Sequence, residues 1–349
     1  MAVDLSKLVS KRTITLDELN GKAIAIDAFN VLYQFLSIIR QPDGTPLMDK
    51  NGEVTSHLSG IFYRTIELVG KGISPIYVFD GVPSLMKKRT IEARMRRRQE
   101  ANVAWKEAVE KGDLARAKSQ AQASTRVNKE IVESSRVLLG LLGIPFINAP
   151  SEGEAQASYM CSKDMVYAAG SQDYDTLLFG SERVVRNLTF SGRRKLPMKN
   201  VYVKVETEMV NLKDTLSSLG INRDQLIWLG LMLGTDFNEG IDGIGPKTAL
   251  KIVKECKDVD QMRRAVIEKS GGDFKEDILD VIDLFKNPEV NPVDLEEVKK
   301  SAEAKLDREG LVAFMCDRHG FDKERVEKFA DILAKTRSAN GQRGIDKWF

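Results

Sequence analysis

Acidic residues that could bind metal ions follow directly after predicted strands in the first half of the chain. Six residues do so: Asp27, Asp80, the pair Glu152 and Glu154, and the pair Asp173 and Asp175. In an open sheet of parallel strands, ligands bind at the edge formed by the carboxyl ends of the strands. We therefore expect these six carboxylates to converge there. Asp236, in a loop that begins at Gly234, could complete the set from the second half of the chain.

The chemistry of such a set is that of hard divalent cations. Carboxylate oxygens without histidine or cysteine suit Mg²⁺ or Mn²⁺, and several carboxylates repel one another unless cations lie between them. Two such ions about 4 Å apart can activate water and stabilise the leaving oxygen when a phosphodiester bond is cut. Two other interpretations stay open. Ser151 and Glu154 have the spacing of a helix capping box, and Asp27 and Asp80 could simply cap the elements after their strands.

The bulk composition is that of a globular protein and excludes several classes of site. The chain has 349 residues, 42% hydrophobic and 30% charged, which predicts an α/β body with an appendage. Its histidines and cysteines are few and scattered: His57, His319, Cys161, Cys256 and Cys316. They argue against a structural zinc site and a Ser-His-Asp enzyme, and they indicate a reduced, intracellular protein, which in a prokaryote would be cytoplasmic.

Membrane and export signals are also missing from the sequence. The longest nearly unbroken apolar run, 137–147, has 11 residues, which is too short to span a bilayer. The first ten residues lack the basic and then apolar layout of a signal peptide. We expect no membrane partner and, since no self-association surface is evident, a monomer.

Strands alternate with helices in the first half of the chain, which predicts an α/β fold with a central, mostly parallel sheet flanked by helices. Five strands are expected, at 23–27, 76–79, 145–147, 166–169 and 183–189. A helix is expected at 29–40, and a loop covers 41–52. After about Asn211 the sequence turns helical, beginning with a helix at 224–233.

A long basic insertion separates the second and third predicted strands. Between Lys87 and Lys129 there are 13 Lys and Arg against 5 Asp and Glu, a net of +8, which leaves about −6 for the rest of a chain of net charge +2. Such a segment indicates a localised contact with a polyanion, although a solvated helix face is the alternative. Arg193, Arg194 and Lys195 form a second candidate phosphate patch, for which a solvated loop is equally plausible.

Two glycines stand immediately before a predicted helix in the run Gly243-Ile244-Gly245-Pro246-Lys247. Small residues let a phosphate approach the backbone, and a helix N-terminus presents free N–H groups. The run therefore indicates a phosphate contact that reads no base sequence, although an ordinary interhelical turn is the alternative.

The chain ends in Gln342-x-x-Ile345-x-x-Trp348-Phe349. In a 3₁₀ turn, residues three apart lie on one side, so Ile345 and Trp348 would form a single apolar plug that Phe349 extends. Exposed aromatic residues of this kind can anchor a partner protein. The alternative is a tail that docks on its own domain.

Six strings occur in an order that resembles the 5′ flap endonuclease family, which includes excision-repair and exonuclease relatives. They are Ile26-Asp27-Ala28, Val78-Phe79-Asp80-Gly81, Pro150-Ser151-Glu152-Gly153-Glu154-Ala155-Gln156, Gln172-Asp173-Tyr174-Asp175, Gly234-Thr235-Asp236-Phe237 and Gly240-Ile241-Asp242-Gly243-Ile244-Gly245-Pro246-Lys247. The resemblance covers almost the whole chain and is strongest to the archaeal type. Ala2 departs from the family's usual Met-Gly start, and we assign it no role.

The resemblance implies a PIN-like nuclease core, a helical arch insertion and a C-terminal helical region with a helix-hairpin-helix-type DNA-binding motif. It implies the following division: an N-terminal nuclease region (1–98), an arch linker (99–115), an internal nuclease region (116–258), a C-terminal helical region (259–337) and a flexible tail (338–349). The tail would carry the sliding-clamp-binding box of Gln342, Ile345, Trp348 and Phe349.

The resemblance also implies roles for individual residues. All seven carboxylates would hold two Mg²⁺ ions, which Mn²⁺ could replace, and K⁺ could bind at the glycine hairpin. Lys87 and Arg94 would contact the scissile phosphate, and Tyr33 would stack on a base. Tyr33 could instead be core, since Phe29, Leu32, Tyr33 and Leu36 have helical spacing. The implied DNA contacts are Tyr33, Arg64, Lys87, Arg94, Glu152, Gly234, Asp236, Gly243, Gly245 and Lys247.

The implied function is Mg²⁺-dependent cleavage of 5′ single-stranded flaps at duplex junctions, with 5′–3′ exonuclease activity, in Okazaki fragment maturation and repair. Two other functions stay open. A non-catalytic, clamp-tethered protein that binds DNA junctions would use the same hairpin and tail. Alternatively, the same chemistry could act on RNA or on a repair bubble.

Overall fold

The computed structural model describes residues 3–189, 192–195, 202–294, 296, 298 and 305–341, and the side chains among them except those of 192–195, 202–204 and 337–341. Nine strands occur in this part of the chain. Their bounds are β1 (Lys11–Ile14), β2 (Ala23–Asp27), β3 (Ser74–Phe79), β4 (Phe146–Asn148), β5 (Ala168–Gly170), β6 (Arg183–Arg186), β7 (Gly192–Lys195), β8 (Tyr202–Val205) and β9 (Thr207–Asn211).

Seven of these strands form one sheet in the order β1-β9-β6-β5-β2-β3-β4, while β7 and β8 pair separately as an antiparallel hairpin. The five strands from β6 to β4 are parallel, and Ile26 of β2 lies opposite Tyr77 of β3 and Gly170 of β5. Within the seven-stranded sheet, only the β9–β6 and β1–β9 pairs are antiparallel. The mostly parallel sheet is therefore confirmed, and four strands that the sequence did not predict, β1, β7, β8 and β9, are added to it or lie beside it.

Helices cover both faces of the sheet. Their bounds are α1 (Ala28–Ile38), α2 (Ser56–Gly70), α3 (Lys88–Glu110), α4 (Leu114–Ala123), α5 (Lys129–Leu141), α6 (Gly153–Ser162), α7 (Asp175–Leu178), α8 (Leu212–Leu219), α9 (Arg223–Leu233), α10 (Pro246–Glu255), α11 (Val259–Ser270), α12 (Ile278–Lys286), α13 (Arg308–Val312) and α14 (Lys323–Gly341). A π-helical turn, Ala313–Arg318, follows α13. No helix among the described residues is long and apolar enough to cross a bilayer.

The two central strands are buried on both faces, which explains their continuous apolar sequences. Successive side chains of β2 point to opposite sides, so Ile24 and Ile26 pack with α1 and α2 while Ala25 packs with Met160 of α6. This burial fixes where the strands end. The residues that follow their carboxyl ends are thereby held at one edge of a rigid layer.

The basic insertion forms a helical arch, α3 and α4, joined at Gly112, whose φ is +70°. Its buried residues are almost all small: Ala101 and Ala108 on α3, and Ala117 and Ala121 on α4. No large apolar side chain of α3 or α4 is fully buried, which matches the polar sequence. The proposed boundary at residue 98 falls inside α3, which continues unbroken to Glu110.

The helices after residue 259 pack on two different cores. Met262 of α11 and Phe285 of α12 join the cluster of α9 and α10, whereas Leu311 of α13 and Leu333 of α14 join the cluster of α1 and α2. The backbone of α14 also continues through Gly341, four residues into the proposed tail. Residues 342–349, which carry the predicted clamp-binding box, lie outside the described residues. The division into regions stays a prediction.

Candidate active site

The sheet places the predicted carboxylates at one edge. Asp27 is the last residue of β2, Asp80 follows β3 directly, and Glu152 and Glu154 lie at the start of α6 after β4. Asp173 lies between β5 and α7, Asp175 is the first residue of α7, and Asp236 follows α9. Burial is high, since Asp175 is only 2% exposed and Asp27 only 5%. The structure therefore brings the predicted carboxylates together at this edge of the sheet.

Five of these carboxylates share one arrangement: one oxygen accepts a hydrogen bond from an uncharged donor. The bonds are Asn30 N to Asp27 Oδ1 (3.0 Å), Gly153 N to Asp80 Oδ1 (2.8 Å), Ser171 Oγ to Glu154 Oε1 (2.8 Å), Asn30 Nδ2 to Asp173 Oδ2 (3.2 Å) and Val3 N to Asp175 Oδ1 (2.8 Å). Within the described part of the chain, the second oxygen of each has no hydrogen-bond partner. Neutral donors orient a carboxylate without cancelling its charge, so five directed anionic oxygens remain.

The capping interpretation holds only in part. Asp27 is the N-cap of α1, and Asp80 accepts from the first N–H of α6, but each uses a single oxygen. A Cβ on Gly153 would lie 2.6 Å from Asp80 Oδ1, so glycine is required for this approach. The capping box that starts at Ser151 does not form. The N-cap of α6 is Glu152, whose side chain makes no capping bond, and Glu154 bonds to Ser171 instead.

Burial and mutual repulsion raise the pKa values of five carboxyl groups. Burial and the charge of Glu152 raise the pKa of Asp80 to about 6, and burial and Asp236 raise that of Asp175 to about 7. For Asp27 and Glu154 the pKa lies well above its ordinary value, through burial first and then through neighbouring carboxylates. The pKa of Asp173 is raised for the same reasons. The pocket therefore holds more negative charge than its own cations balance.

Two cations from the base of the arch enter this pocket. Lys87 Nζ forms an ion pair with Glu152 and lies 3.5 Å from Asp236 Oδ2, while Arg94 Nη2 lies 2.5 Å from Asp236 Oδ1. Burial alone would lower the pKa of Lys87, but Glu152 and Asp236 outweigh it and raise that pKa. Burial would likewise raise the pKa of Asp236, yet Lys87 and Arg94 bring it below its usual value. The arch base is thus tied electrostatically to the carboxylates.

The residues present fit hard divalent cations. Glu152 Oε1 is buried and has no hydrogen-bond partner among the residues that the structure describes, an arrangement that is costly unless a cation satisfies it. Seven carboxylates face two cationic side chains, and every donor atom is oxygen, as Mg²⁺ and Mn²⁺ prefer. Both the all-oxygen ligand set and the unpartnered oxygen of Glu152 therefore suit bound divalent cations.

A tighter set of possible ligands lies elsewhere. Among the residues described, Asp49, Glu53 and His319 form the one group of three whose ligand atoms all lie within 4.8 Å of one another. The sheet-edge carboxylates are spread more widely, which suits more than one ion. His319 Nδ1 lies 2.8 Å from Asp49 Oδ2, and Arg318 lies 3.3 Å from Glu53, so this group already has internal partners. Sequence reasoning missed it because its members are up to 270 residues apart.

Tyr33 is separate from the core that its helical spacing suggested. Leu32 and Leu36 are buried in the main cluster and Phe29 packs against it, but Tyr33 is only half-buried. The guanidinium of Arg98, on the arch, lies 4.9 Å from the centroid of its ring. One face of the tyrosine ring is therefore covered by a cationic group of the arch.

Arg64 lies on α2 and is engaged within the protein. It pairs with Glu67 at 2.5 Å and donates to the carbonyl of Leu188 at 3.2 Å. Its contact with DNA stays a prediction. Arg193, Arg194 and Lys195 lie on β7, whose side chains are outside the described set.

The glycine hairpin leads into a helix as predicted, with Pro246 as the first residue of α10. Gly234 and Gly243 have φ values of +90° and +81°. A Cβ at Gly243 or Gly245 would meet no atom within 4 Å, and Lys247 is exposed. The turn therefore presents an open backbone surface, with the free N–H groups of α10 behind it.

A cleft of about 1060 Å³ lies between the arch base and the helices that carry the hairpin. Arg89, Arg94 and Arg97 line one wall, and Thr235 and Glu276 belong to the other. Arg89 reaches across to Glu276 at 3.7 Å, and Thr90 Oγ1 donates to the carbonyl of Asp236 at 2.8 Å. Arg94 lines this cleft and pairs with Asp236, so the cleft adjoins the carboxylate pocket at that pair.

Comparisons with known proteins agree along the whole chain. The XPG N-terminal domain matches residues 1–101 and the XPG I-region matches 143–236. Flap endonuclease 1 of Thermococcus onnurineus is 49% identical over 350 residues, covering 100% of this chain and 99% of that protein. Flap endonuclease 1 of Pyrococcus furiosus is 47% identical, with the same coverage.

Solved structures give the same result. Flap endonuclease-1 from Methanococcus jannaschii is 38% identical, with a TM-score of 0.74 over 97% of this chain and 99% of that one. The catalytic core of Rad2 in complex with DNA substrate has a TM-score of 0.68 at 23% identity, a likeness of fold alone, over 95% of this chain and all of that one.

Proposed function

The chain belongs to the flap endonuclease 1 family, and we propose that its carboxylate pocket hydrolyses one phosphodiester bond where a 5′ single-stranded flap leaves duplex DNA. It is a structure-specific, metal-dependent nuclease of DNA replication and repair. The observation that carries the proposal is the convergence of seven carboxylates, five of them with one oxygen left without a partner among the described residues.

The ions proposed for the pocket are two Mg²⁺, which Mn²⁺ could replace. Their ligands would be the free oxygens of the carboxylates: Asp27, Asp80, Glu152, Glu154, Asp173, Asp175 and Asp236. Ions held there would supply an activated water and offset the charge on the leaving oxygen. The residues support this through the orphaned oxygen of Glu152 and the raised pKa values, both of which a divalent cation would relieve.

Lys87 and Arg94 would act directly on the substrate. In the DNA-free chain they pair with Glu152 and Asp236. When a phosphate enters the pocket, its oxygens would replace those carboxylates as partners of the two cations. Positive charge held in place in this way stabilises the negative charge that develops in the transition state. Because Glu152 and Asp236 raise the pKa of Lys87 despite its burial, the lysine is protonated before DNA enters.

Substrate recognition is proposed to depend on shape and phosphate positions. The hairpin at Gly243 and Gly245, with Lys247 and bound K⁺, would hold the uncut strand through its backbone. Tyr33 would stack on a base beside the scissile bond once Arg98 moves away from its ring. The arch would guide the single-stranded flap, whereas base sequence would not be read.

Two further proposals rest on the sequence alone. The terminal box of Gln342, Ile345, Trp348 and Phe349 would bind a sliding clamp and so keep the enzyme near replication sites. The protein would act as an intracellular monomer, in the cytoplasm and at the nucleoid of a prokaryotic cell.

The test compares the chain with Asp173→Asn on a 5′-flap duplex in Mg²⁺. Single-turnover rates should fall by about a thousandfold or more, because the variant loses one charged ligand while it keeps an acceptor for Asn30. Asp260→Asn, which alters an exposed acid on α11, is the matched control and should cut normally. Equal cutting by Asp173→Asn and the control would remove the proposed site.

Two outcomes would redirect the proposal. Tight binding of branched DNA without any cleavage in Mg²⁺ or Mn²⁺ would favour a non-catalytic junction-binding protein. Faster cutting of a bubble or of RNA than of a 5′ flap would keep the chemistry and change the substrate.

A further inference from the structure

One buried hydroxyl connects two of the carboxylate residues. Ser171 follows β5 directly and is 5% exposed. Its Oγ donates to Glu154 Oε1 at 2.8 Å and accepts from the backbone N–H of Asp173 at 3.1 Å. Glu154 belongs to α6 and Asp173 to the turn before α7. A single side chain therefore fixes the relative positions of two separate elements of the pocket.

Glu154 needs such a restraint. Asp173, Asp27 and Asp175 all repel its carboxylate, and the side chain has three rotatable bonds that could turn it away. Ser158 anchors the backbone of this region, since its hydroxyl lies 2.6 Å from the carbonyl of Glu154 and 3.1 Å from that of Thr176. That contact holds α6 in place but leaves the carboxylate free. Ser171 contacts the carboxylate itself.

The hydroxyl of Ser171 is also a suitable donor to Glu154, because it carries no charge. A cation at this position would neutralise Glu154 and weaken it as a ligand, whereas a hydroxyl holds Oε1 and leaves the charge on the group. Because Oγ also accepts from Asp173 N, its proton is directed towards Glu154. Hydrogen-bond partners outside a metal's ligand set typically change metal affinity or activity by about 10- to 100-fold.

We propose that Ser171 is a positioning residue of the metal-binding pocket: its hydroxyl sets the direction of the Glu154 carboxylate relative to Asp173. This inference rests on the proposed function, since it concerns the same pocket. It differs from a purely structural role, in which the buried hydroxyl would only satisfy its own hydrogen bonds and contribute to folding.

The test measures metal binding without DNA. Mn²⁺ is titrated into the full-length chain, and free ion is followed by electron paramagnetic resonance. Ser171→Ala should bind Mn²⁺ about 10-fold more weakly, while Ser171→Thr, which restores a hydroxyl, should recover most of the affinity. Ser135→Ala is the matched control, since Ser135 is fully buried and donates only to the carbonyl of Ile131 within α5. The control should bind Mn²⁺ as the unchanged chain does.

A double-mutant cycle keeps the inference testable if the threonine variant fails to fold. If Ser171 acts through Glu154, Ser171→Ala should cost less than about threefold in Mn²⁺ affinity once Glu154→Gln is present. Unchanged Mn²⁺ affinity in Ser171→Ala, or an equal loss in Ser135→Ala, would overturn the inference. A full 10-fold loss in the Glu154→Gln background would overturn it as well.

Failure of the two proposals can be told apart. A chain that binds Mn²⁺ through Ser171 as described but cuts no flap would contradict the proposed function alone. A chain that cuts flaps while Ser171→Ala leaves Mn²⁺ affinity and the Mg²⁺ dependence of cleavage unchanged would contradict the positioning role alone.

Discussion

The carboxylate pocket and the arch are held in place by different kinds of interaction. In the pocket, buried strands fix the backbone and uncharged donors fix one oxygen of five carboxylates. The arch buries almost only alanine and is fastened to the body by polar contacts, such as Trp105 Nε1 to the carbonyl of Asp43 at 3.0 Å. The pocket is thus positioned by packing, whereas the arch is positioned by charge and a few hydrogen bonds.

This difference separates chemistry from substrate capture. A rigid pocket can hold carboxylates that repel one another in a productive geometry, because the sheet supplies the stability. A lightly packed arch can shift when DNA arrives, because it gives up few apolar contacts. Changes in the pocket should therefore affect the rate of the chemical step, and changes in the arch should affect binding and salt dependence.

The largest effect is expected where the two regions meet. Lys87→Met removes the cation that pairs with Glu152, and it should lower the single-turnover cleavage rate by about 100- to 1000-fold with little change in DNA affinity. Lys88→Met is the control, since Lys88 is the exposed neighbour on α3. If Lys87→Met instead lowers DNA affinity and leaves the cleavage rate unchanged, Lys87 binds DNA and does not take part in the chemical step.

A second prediction concerns the pocket's stability without metal. Because the pKa of Asp175 is raised to about 7, its contribution to stability is full below its unfolded pKa near 3.8 and is lost as pH rises through about 7. Asp175→Asn should therefore stabilise the metal-free chain at pH 8 by of order 2 kcal/mol, and much less at pH 4. Thermal unfolding in a chelator measures this, with Asp260→Asn as the control. If Asp175→Asn does not stabilise the metal-free chain at pH 8, the pocket must rearrange so that its carboxylates no longer repel one another.

A smaller effect is expected from loosening the arch. Trp105→Phe keeps an aromatic ring, although a smaller one, and loses the hydrogen bond to Asp43, which contributes about 1 kcal/mol. Amide hydrogen exchange should become faster in α3 and stay unchanged in β2 and β3, and DNA affinity should fall a few-fold. If amide hydrogen exchange becomes equally faster in β2 and β3, the arch and the pocket unfold as one cooperative unit.

The smallest effect is expected at an exposed arginine of the cleft. Arg97→Gln removes one candidate phosphate contact, so the slope of log affinity against log salt should become shallower by about 1. The cleavage rate at saturating enzyme should not change. An unchanged slope would exclude Arg97 from the phosphate path.

The parallel core and its acidic edge could be predicted because both are local signals. Residues 23–27 form a fully buried run that ends in Asp27, the buried strand β3 is followed directly by Asp80, and further acids follow β4 and β5 after short loops. β1 and β9 were missed because Lys11–Ile14 is mostly exposed and pairs with residues nearly 200 positions away. Pairing at that distance leaves no pattern in the run itself.

The supporting residues of the pocket were missed for a related reason. Asn30 and Ser171 are short polar residues of a kind common in turns and helix starts, so their types alone carry no signal. Their roles arise only when separate elements meet, as when Asn30 bonds to both Asp27 and Asp173. The capping-box prediction at Ser151 failed in the same way, because Glu154 found a partner from another element.

The central claim is tested most directly by anomalous scattering from crystals soaked in Mn²⁺. We predict peaks within coordination distance of the free oxygens of Asp27, Asp80, Glu154 and Asp173, with Lys87 displaced from Glu152. Peaks confined to the cluster of Asp49, Glu53 and His319, or no peak at the sheet edge at saturating Mn²⁺, would contradict the account.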